Sequence, residues 1–197
     1  MAATRALPPA PPVQRPRVLV VGSAFASAAA VMVFVALIGV YLSQRADTLL
    51  AGEAWLPQGL DIPLQQPTTM LFTLAMSVVT MQWAVSAVSN DDRINSYIAL
   101  GTTLLFGVAT VVMTTYLWSL MGADVSADPQ AVLIYAITGG HVVMLVVAMA
   151  FVALMAFRAL AGGFSARQHD GVTAAAIFWY AMVAVYALIW ISIYVTK

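Results

Sequence analysis

Residues 130–160 read QAVLIYAITGGHVVMLVVAMAFVALMAFRAL. The stretch has no Asp, Glu or Lys, and its single Arg, Arg158, is third from the end. About 20 mostly apolar residues suffice to cross a hydrocarbon core of about 30 Å as a helix. Working outward, four more stretches have the same character: 18–43, 68–89, 95–121 and 172–195, none with a charged residue. In lipid every backbone N–H and C=O needs an internal partner, so such spans are helices. The expected fold is all-α, an integral membrane bundle of five transmembrane helices.

The whole chain agrees with its parts. Of 197 residues, 62% are hydrophobic and 8% charged, and the mean hydropathy is +0.93, a composition outside the range of soluble domains. Cysteine is absent, which removes disulfides, thiolate clusters and a Cys nucleophile from consideration. The formal net charge is zero, and no run of like charges points to nucleic acid. The Pro- and Arg-rich residues 1–17, MAATRALPPAPPVQRPR, are expected to form a solvated cytoplasmic tail. Residues 18–197 then form one membrane domain. The apolar run that follows the tail covers 18–43, longer than the roughly 7–15 residues of a signal-peptide core, so it is expected to be retained as a span.

Orientation follows from the basic residues. Arg5, Arg15, Arg17, Arg93, Arg158 and Arg167 fall at one side of such a bundle, and only Arg45 and Lys197 at the other. The side rich in Arg and Lys stays in the cytoplasm, giving a cytoplasmic N-terminus and an external C-terminus. The opposite connections are acidic, with Asp47, Glu53, Asp61, Asp124 and Asp128. Trp55, Pro57 and Pro63 suit residues 44–66 to an amphipathic cap on the outer surface. Trp118, Trp190 and Tyr194 lie near span ends, where interfacial aromatics collect.

Uncharged interiors exclude much membrane chemistry, because proton relays and ion paths need buried ionisable groups. His141, in Thr138-Gly139-Gly140-His141, is the sharpest candidate. One reading makes it a haem, quinone or metal ligand. Haem held between two helices normally takes a ligand from each, and metal sites want several His or carboxylates. The only other histidine, His169, lies in a loop. The other reading is a neutral imidazole bonded to a hydroxyl on a neighbouring helix, packed where the two glycines make room. Thr73, Ser77 and Thr80 share one face of the second span, and Thr110, Thr114 and Thr115 lie together in the third. Such hydroxyls satisfy the preceding turn's carbonyls or bridge helices. The small residues Gly22, Ala26, Ala29 and Ala30 suit close helix packing. No nucleotide loop, nucleophile–base pair or zinc spacing is present.

Taken in order, Thr138-Gly139-Gly140-His141-Val142, Gly163-Phe164-Ser165 with His169, and Ala174-Ala175-Ala176-Ile177-Phe178-Trp179-Tyr180 resemble subunit III of the haem-copper oxidases. Tyr41-Leu42-Ser43-Gln44-Arg45-Ala46 is similar to the close of that family's Glu-bearing helix. Five helices, with N inside and C outside, match its short bacterial form. The resemblance places Ala30 where the family has its intramembrane Glu and Thr138 at the first His of its pair. It also sets Tyr180 and Val183 at the His and Asp of the last helix, leaving His141, Trp179 and His169 as survivors.

What the resemblance implies is an accessory subunit of a terminal oxidase in the bacterial cytoplasmic membrane. Such a subunit stabilises the catalytic subunit and binds phospholipid, while haem and copper reside in partner subunits. A related subunit of a nitric-oxide-reductase-type complex, or a small haem- or quinone-binding protein using His141, are the alternatives. No catalytic, cofactor or metal residue is assigned to this chain. His141, Thr138 and Trp179 stand as intramembrane polar residues with structural roles.

Overall fold

The computed structural model describes residues 17–56, 62–122, 129–161 and 169–196. Five helices lie within them, each long and apolar enough to cross a membrane. They are α1 (Val18–Leu50), α2 (Gln65–Ser89), α3 (Arg93–Met121), α4 (Pro129–Leu160) and α5 (Asp170–Ile189). The end of α5 continues through Trp190–Val195 as a π-helical turn. Apart from Arg17, the Pro/Arg-rich tail lies outside the described residues. So do Asp61, Asp124, Asp128, Arg167 and the Gly163-Phe164-Ser165 loop.

The helix ends differ from the sequence expectation most at α1, which runs on from Ser43 to Leu50. Residues 44–50 contain no Gly or Pro, so the helix persists until Gly52, whose φ of 78° breaks it. At about 1.5 Å per residue its 33 residues measure about 50 Å, well beyond the hydrocarbon thickness. The expected surface cap therefore begins as helix. Its Trp55 folds back into the bundle, with the indole N–H donating to the Tyr41 hydroxyl at 3.0 Å. α2 starts at Gln65, so Pro67 occupies its first turn, where a missing N–H costs nothing.

The two-residue turn Asn90-Asp91 between α2 and α3 contains the only non-glycine residue with positive φ among those described, Asp91 at 56°. Asp tolerates that region better than most residues. Asp92 then caps α3: its carboxylate accepts from the Asn95 backbone N–H at 3.1 Å and from the Asn95 side-chain amide at 2.6 Å. Those two bonds, the side-chain one foremost, hold the Asp92 carboxyl below the usual carboxylate range. Gly122, at φ 57°, closes the other end of α3 in the left-handed conformation that favours glycine.

Cross-helix bonds fix the helix directions. Arg17 pairs with Asp170 at 3.6 Å, Ser23 donates to the Ala174 carbonyl, and Arg45 donates to the Thr196 carbonyl. α1 and α5, first and last in sequence, therefore run parallel. Ser77 with Trp179 and Pro67 with Tyr186 set α2 antiparallel to α5. Tyr97 with Ala159 and Trp118 with Thr138 set α3 antiparallel to α4. α5 sits centrally against α1, α2 and α4, and α3 closes the bundle against α2 and α4. The buried face of α5 is Val172, Ala175, Trp179, Met182, Tyr186 and Ile189, spaced by three or four residues.

Candidate functional site: a polar seam inside the bundle

α1 meets the bundle through Ser23, Ser27, Phe34, Ile38 and Tyr41, all buried. Three of the four small residues noted in the sequence face the other way, while Ala30 packs against the core. Gly22, Ala26 and Ala29 are exposed, and a Cβ on Gly22 would meet nothing within 4 Å. The close approach expected there occurs instead at Gly107 of α3. A Cβ at Gly107 would sit 2.9 Å from Met149 Cγ and 3.1 Å from Trp179 Cη2. The absence of a side chain at that position lets α3, α4 and α5 converge closely.

Trp179 fills that convergence. It has no exposed surface, and its indole N–H donates to Ser77 Oγ at 2.9 Å. Ser77 in turn donates to the Leu74 carbonyl, so both polar groups are satisfied. The hydroxyl faces of α2 and α3 behave the same way. Thr73, Thr110 and Thr115 bond carbonyls of their own preceding turns. Thr80 and Thr103 bridge α2 to α3 at 2.8 Å. These hydroxyls are engaged locally or across helix pairs, as packing in lipid requires.

His141 is buried in the middle of α4. Its Nε2 lies 3.2 Å from the Met182 backbone carbonyl of α5. The partner is thus a carbonyl, not the hydroxyl expected from sequence. Because a carbonyl only accepts, the hydrogen is assigned to Nε2, and the neutral ring keeps Nδ1 as an acceptor. The ring stands edge-on to Phe34 at 6.4 Å between centroids and tilted against Tyr186 at 5.2 Å. The preceding glycines do admit neighbours: a Cβ at Gly140 would lie 3.5 Å from Phe34, and one at Gly139 3.9 Å from Trp118. Thr138, one turn back, accepts from the Trp118 indole at 3.1 Å and donates to the Ile134 carbonyl.

The space beside His141 is small. Thr114, Thr138, His141, Tyr186, Ile189 and Tyr194 enclose a cavity with about 10 Å³ open to the centre of a water molecule. His169 precedes α5 and is separated from Met182 by twelve residues of helix, about 18 Å. Among the described residues no group of three His, Cys, Asp or Glu side chains could hold a metal ion.

Sequence reasoning missed several members of this seam. Tyr194, placed by its position at the membrane interface, is 1% exposed and faces inward. Tyr186 donates to the Pro67 carbonyl at 3.0 Å, whereas Tyr180, already singled out in the sequence, makes an exposed bond to Gln82 at 2.8 Å. The Tyr spacing of 180, 186 and 194 in an apolar helix was the available signal. Ala30 and Val183 pack against the core without a polar contact.

Fold and seam together define a polytopic all-α membrane protein in which Ser77, Thr138 and His141 make helix-to-helix hydrogen bonds within the bundle. The chain belongs to the cytochrome c oxidase subunit III family, whose profile matches residues 16–197. It is similar to cytochrome c oxidase subunit 3 of Sus scrofa, 27% identical over 156 residues, 78% of this chain and 60% of that protein. The Aedes aegypti protein of the same name is 25% identical over 77% of this chain and 59% of its own length. The Loxodonta africana protein is 28% identical over 78% and 60%. The chain thus spans about 60% of the length of the relatives it matches.

Proposed function

We propose that this chain is an accessory subunit of a terminal oxidase of the cytochrome c oxidase type, seated in a bacterial cytoplasmic membrane beside catalytic subunits that hold haem and copper. The observation that carries the reading is the family match across residues 16–197. The geometry of the seam supports the further view that this chain brings no redox centre of its own. His141 spends one ring nitrogen on Met182, and the space beside the other is far below the size of a porphyrin. Trp179, Thr138 and His141 tie α2 to α5, α3 to α4 and α4 to α5, the role of struts in a scaffold. The outer faces, with Phe25 and Met32 more than 70% exposed, suit phospholipid or an apolar partner.

Gentle detergent extraction through a tag on this chain is expected to recover a larger complex with a haem spectrum. In that complex His141→Ala leaves haem per complex unchanged while lowering yield, since an orphaned buried partner costs about 1–3 kcal/mol. A purified single chain with its own haem band, lost in His141→Ala, would overturn the reading.

The cytoplasmic N-terminus is a second proposal. Arg17, Arg93 and Arg158 gather at the end of the bundle marked by the Arg17–Asp170 pair and the Tyr97–Ala159 bond, and Arg45 lies at the other end. A phosphatase reporter fused after Lys197 is expected to be active, because that enzyme matures only outside the cytoplasm. Activity from a cytoplasm-dependent reporter at the same site refutes the orientation.

A further inference from the structure

We propose that the cavity beside His141 is a binding site for one ordered water molecule that joins α3, α4 and α5 at the heart of the bundle. The volume is the first support. About 10 Å³ open to a water centre is close to the minimum that one water needs, and a larger guest is excluded.

The donor and acceptor inventory is the second. Thr138 gives its hydrogen to the Ile134 carbonyl and already accepts from Trp118, Thr114 gives its hydrogen to Thr110 and Tyr186 to Pro67, so the three hydroxyl residues that line the cavity have only acceptor capacity left. His141, with its hydrogen on Nε2 toward Met182, adds Nδ1 as a fourth acceptor. Tyr194 lines the same cavity at 1% exposure, and no hydrogen bond joins its hydroxyl to another described residue. A site walled by acceptors and one uncommitted donor cannot satisfy itself. One water resolves the mismatch: it accepts from Tyr194 and donates two hydrogens, one to His141 Nδ1 and one to a hydroxyl oxygen. That gives three bonds, the usual number for a buried water. The Tyr194 hydroxyl, beside the cavity, gains in that water the acceptor that a polar group inside a protein needs.

The site gives His141 a role that an apolar residue could not fill. Its two nitrogens link the Met182 carbonyl on one side to the water on the other, with opposite hydrogen-bond roles. Asn or Gln at this position lacks the ring that packs against Phe34 and Tyr186.

The test uses the full chain in lipid bilayers with ¹⁵N-labelled histidine, which gives signals from His141 and His169 alone. Solid-state NMR is expected to show His141 protonated on Nε2 and unprotonated on Nδ1, with magnetisation transfer from water to Nδ1. In Tyr194→Phe, which keeps the ring and removes the donor, that transfer falls several-fold while the Nε2 signal stays. A hydrogen on Nδ1, or no water transfer in the unmodified chain, overturns the site. Unchanged transfer in Tyr194→Phe overturns it as well. Should Tyr194→Phe fail to fold, the spectrum of the unmodified chain alone decides.

Discussion

Trp179→Ala is expected to destabilise the bundle by about 3–5 kcal/mol, the range for emptying a buried large aromatic site. Two effects add. The indole leaves a void between α2, α3 and α5, and Ser77 Oγ loses the donor it accepts from at 2.9 Å. In a bilayer the unfolded reference is a set of separated helices already in lipid, so transfer out of water contributes little. Lost dispersion contacts and the cavity dominate, which places the expected value toward the lower end of the range. Trp179→Phe keeps most of the volume and drops the hydrogen bond, so its cost is about 1–2 kcal/mol. Denaturation with a graded anionic detergent, followed by circular dichroism, measures both. An alanine variant within 0.5 kcal/mol of the unmodified chain, on the order of an ordinary surface change, rejects the role of Trp179 as the central packing residue.

Gly107→Leu attacks the same junction from the opposite direction. Even its Cβ would stand 2.9 Å from Met149 Cγ and Sδ and 3.1 Å from Trp179 Cη2, and the isobutyl group has no free volume to enter. Overpacking of this kind costs about 1–3 kcal/mol or more. Gly107→Ala is the milder control, because the flexible Met149 side chain moves aside and alanine favours the helix by about 1 kcal/mol. The informative variant is the pair Gly107→Leu with Trp179→Ala. The leucine then occupies part of the space the indole vacates, so the double loss falls short of the summed single losses by more than about 0.5 kcal/mol. Strict additivity shows that the two residues do not share a cavity.

These two residues also show what a sequence reveals in lipid and what it hides. The five spans were visible because the bilayer penalises charge and open backbone so heavily that the pattern has few solutions. Helix ends were less visible. Lipid stops exerting its penalty at the headgroups, while α1 continues through Gln44-Arg45-Ala46-Asp47, helped by the Arg45 bond to the Thr196 carbonyl. Which face of a span points inward was the least legible. In a soluble helix polarity marks the outer face, but here both faces are apolar. Gly22 therefore looked like a contact and turned outward, while Gly107 passed unnoticed. Tyr194 failed for a related reason: an aromatic near a span end satisfies the interfacial pattern whichever way it points. His141 was found because one imidazole in the 28 otherwise uncharged positions from 130 to 157 stands out. Its carbonyl partner could not be found, because the register of α4 against α5 is a property of packing.

The parallel pairing of α1 with α5 sets the order in which the molecule can be completed. Ser23 and Ala174, like Arg45 and Thr196, are 151 residues apart in sequence, and α1 has few neighbours other than α5. During synthesis, then, α1 waits almost unaccompanied in the bilayer while α2, α3 and α4 are made. α2 and α3 meet across the short Asn90-Asp91 turn at once, α4 joins α3, and only the last helix brings partners for Ser23 and Arg45. A chain broken off before residue 170 would leave α1 adrift and recognisably incomplete.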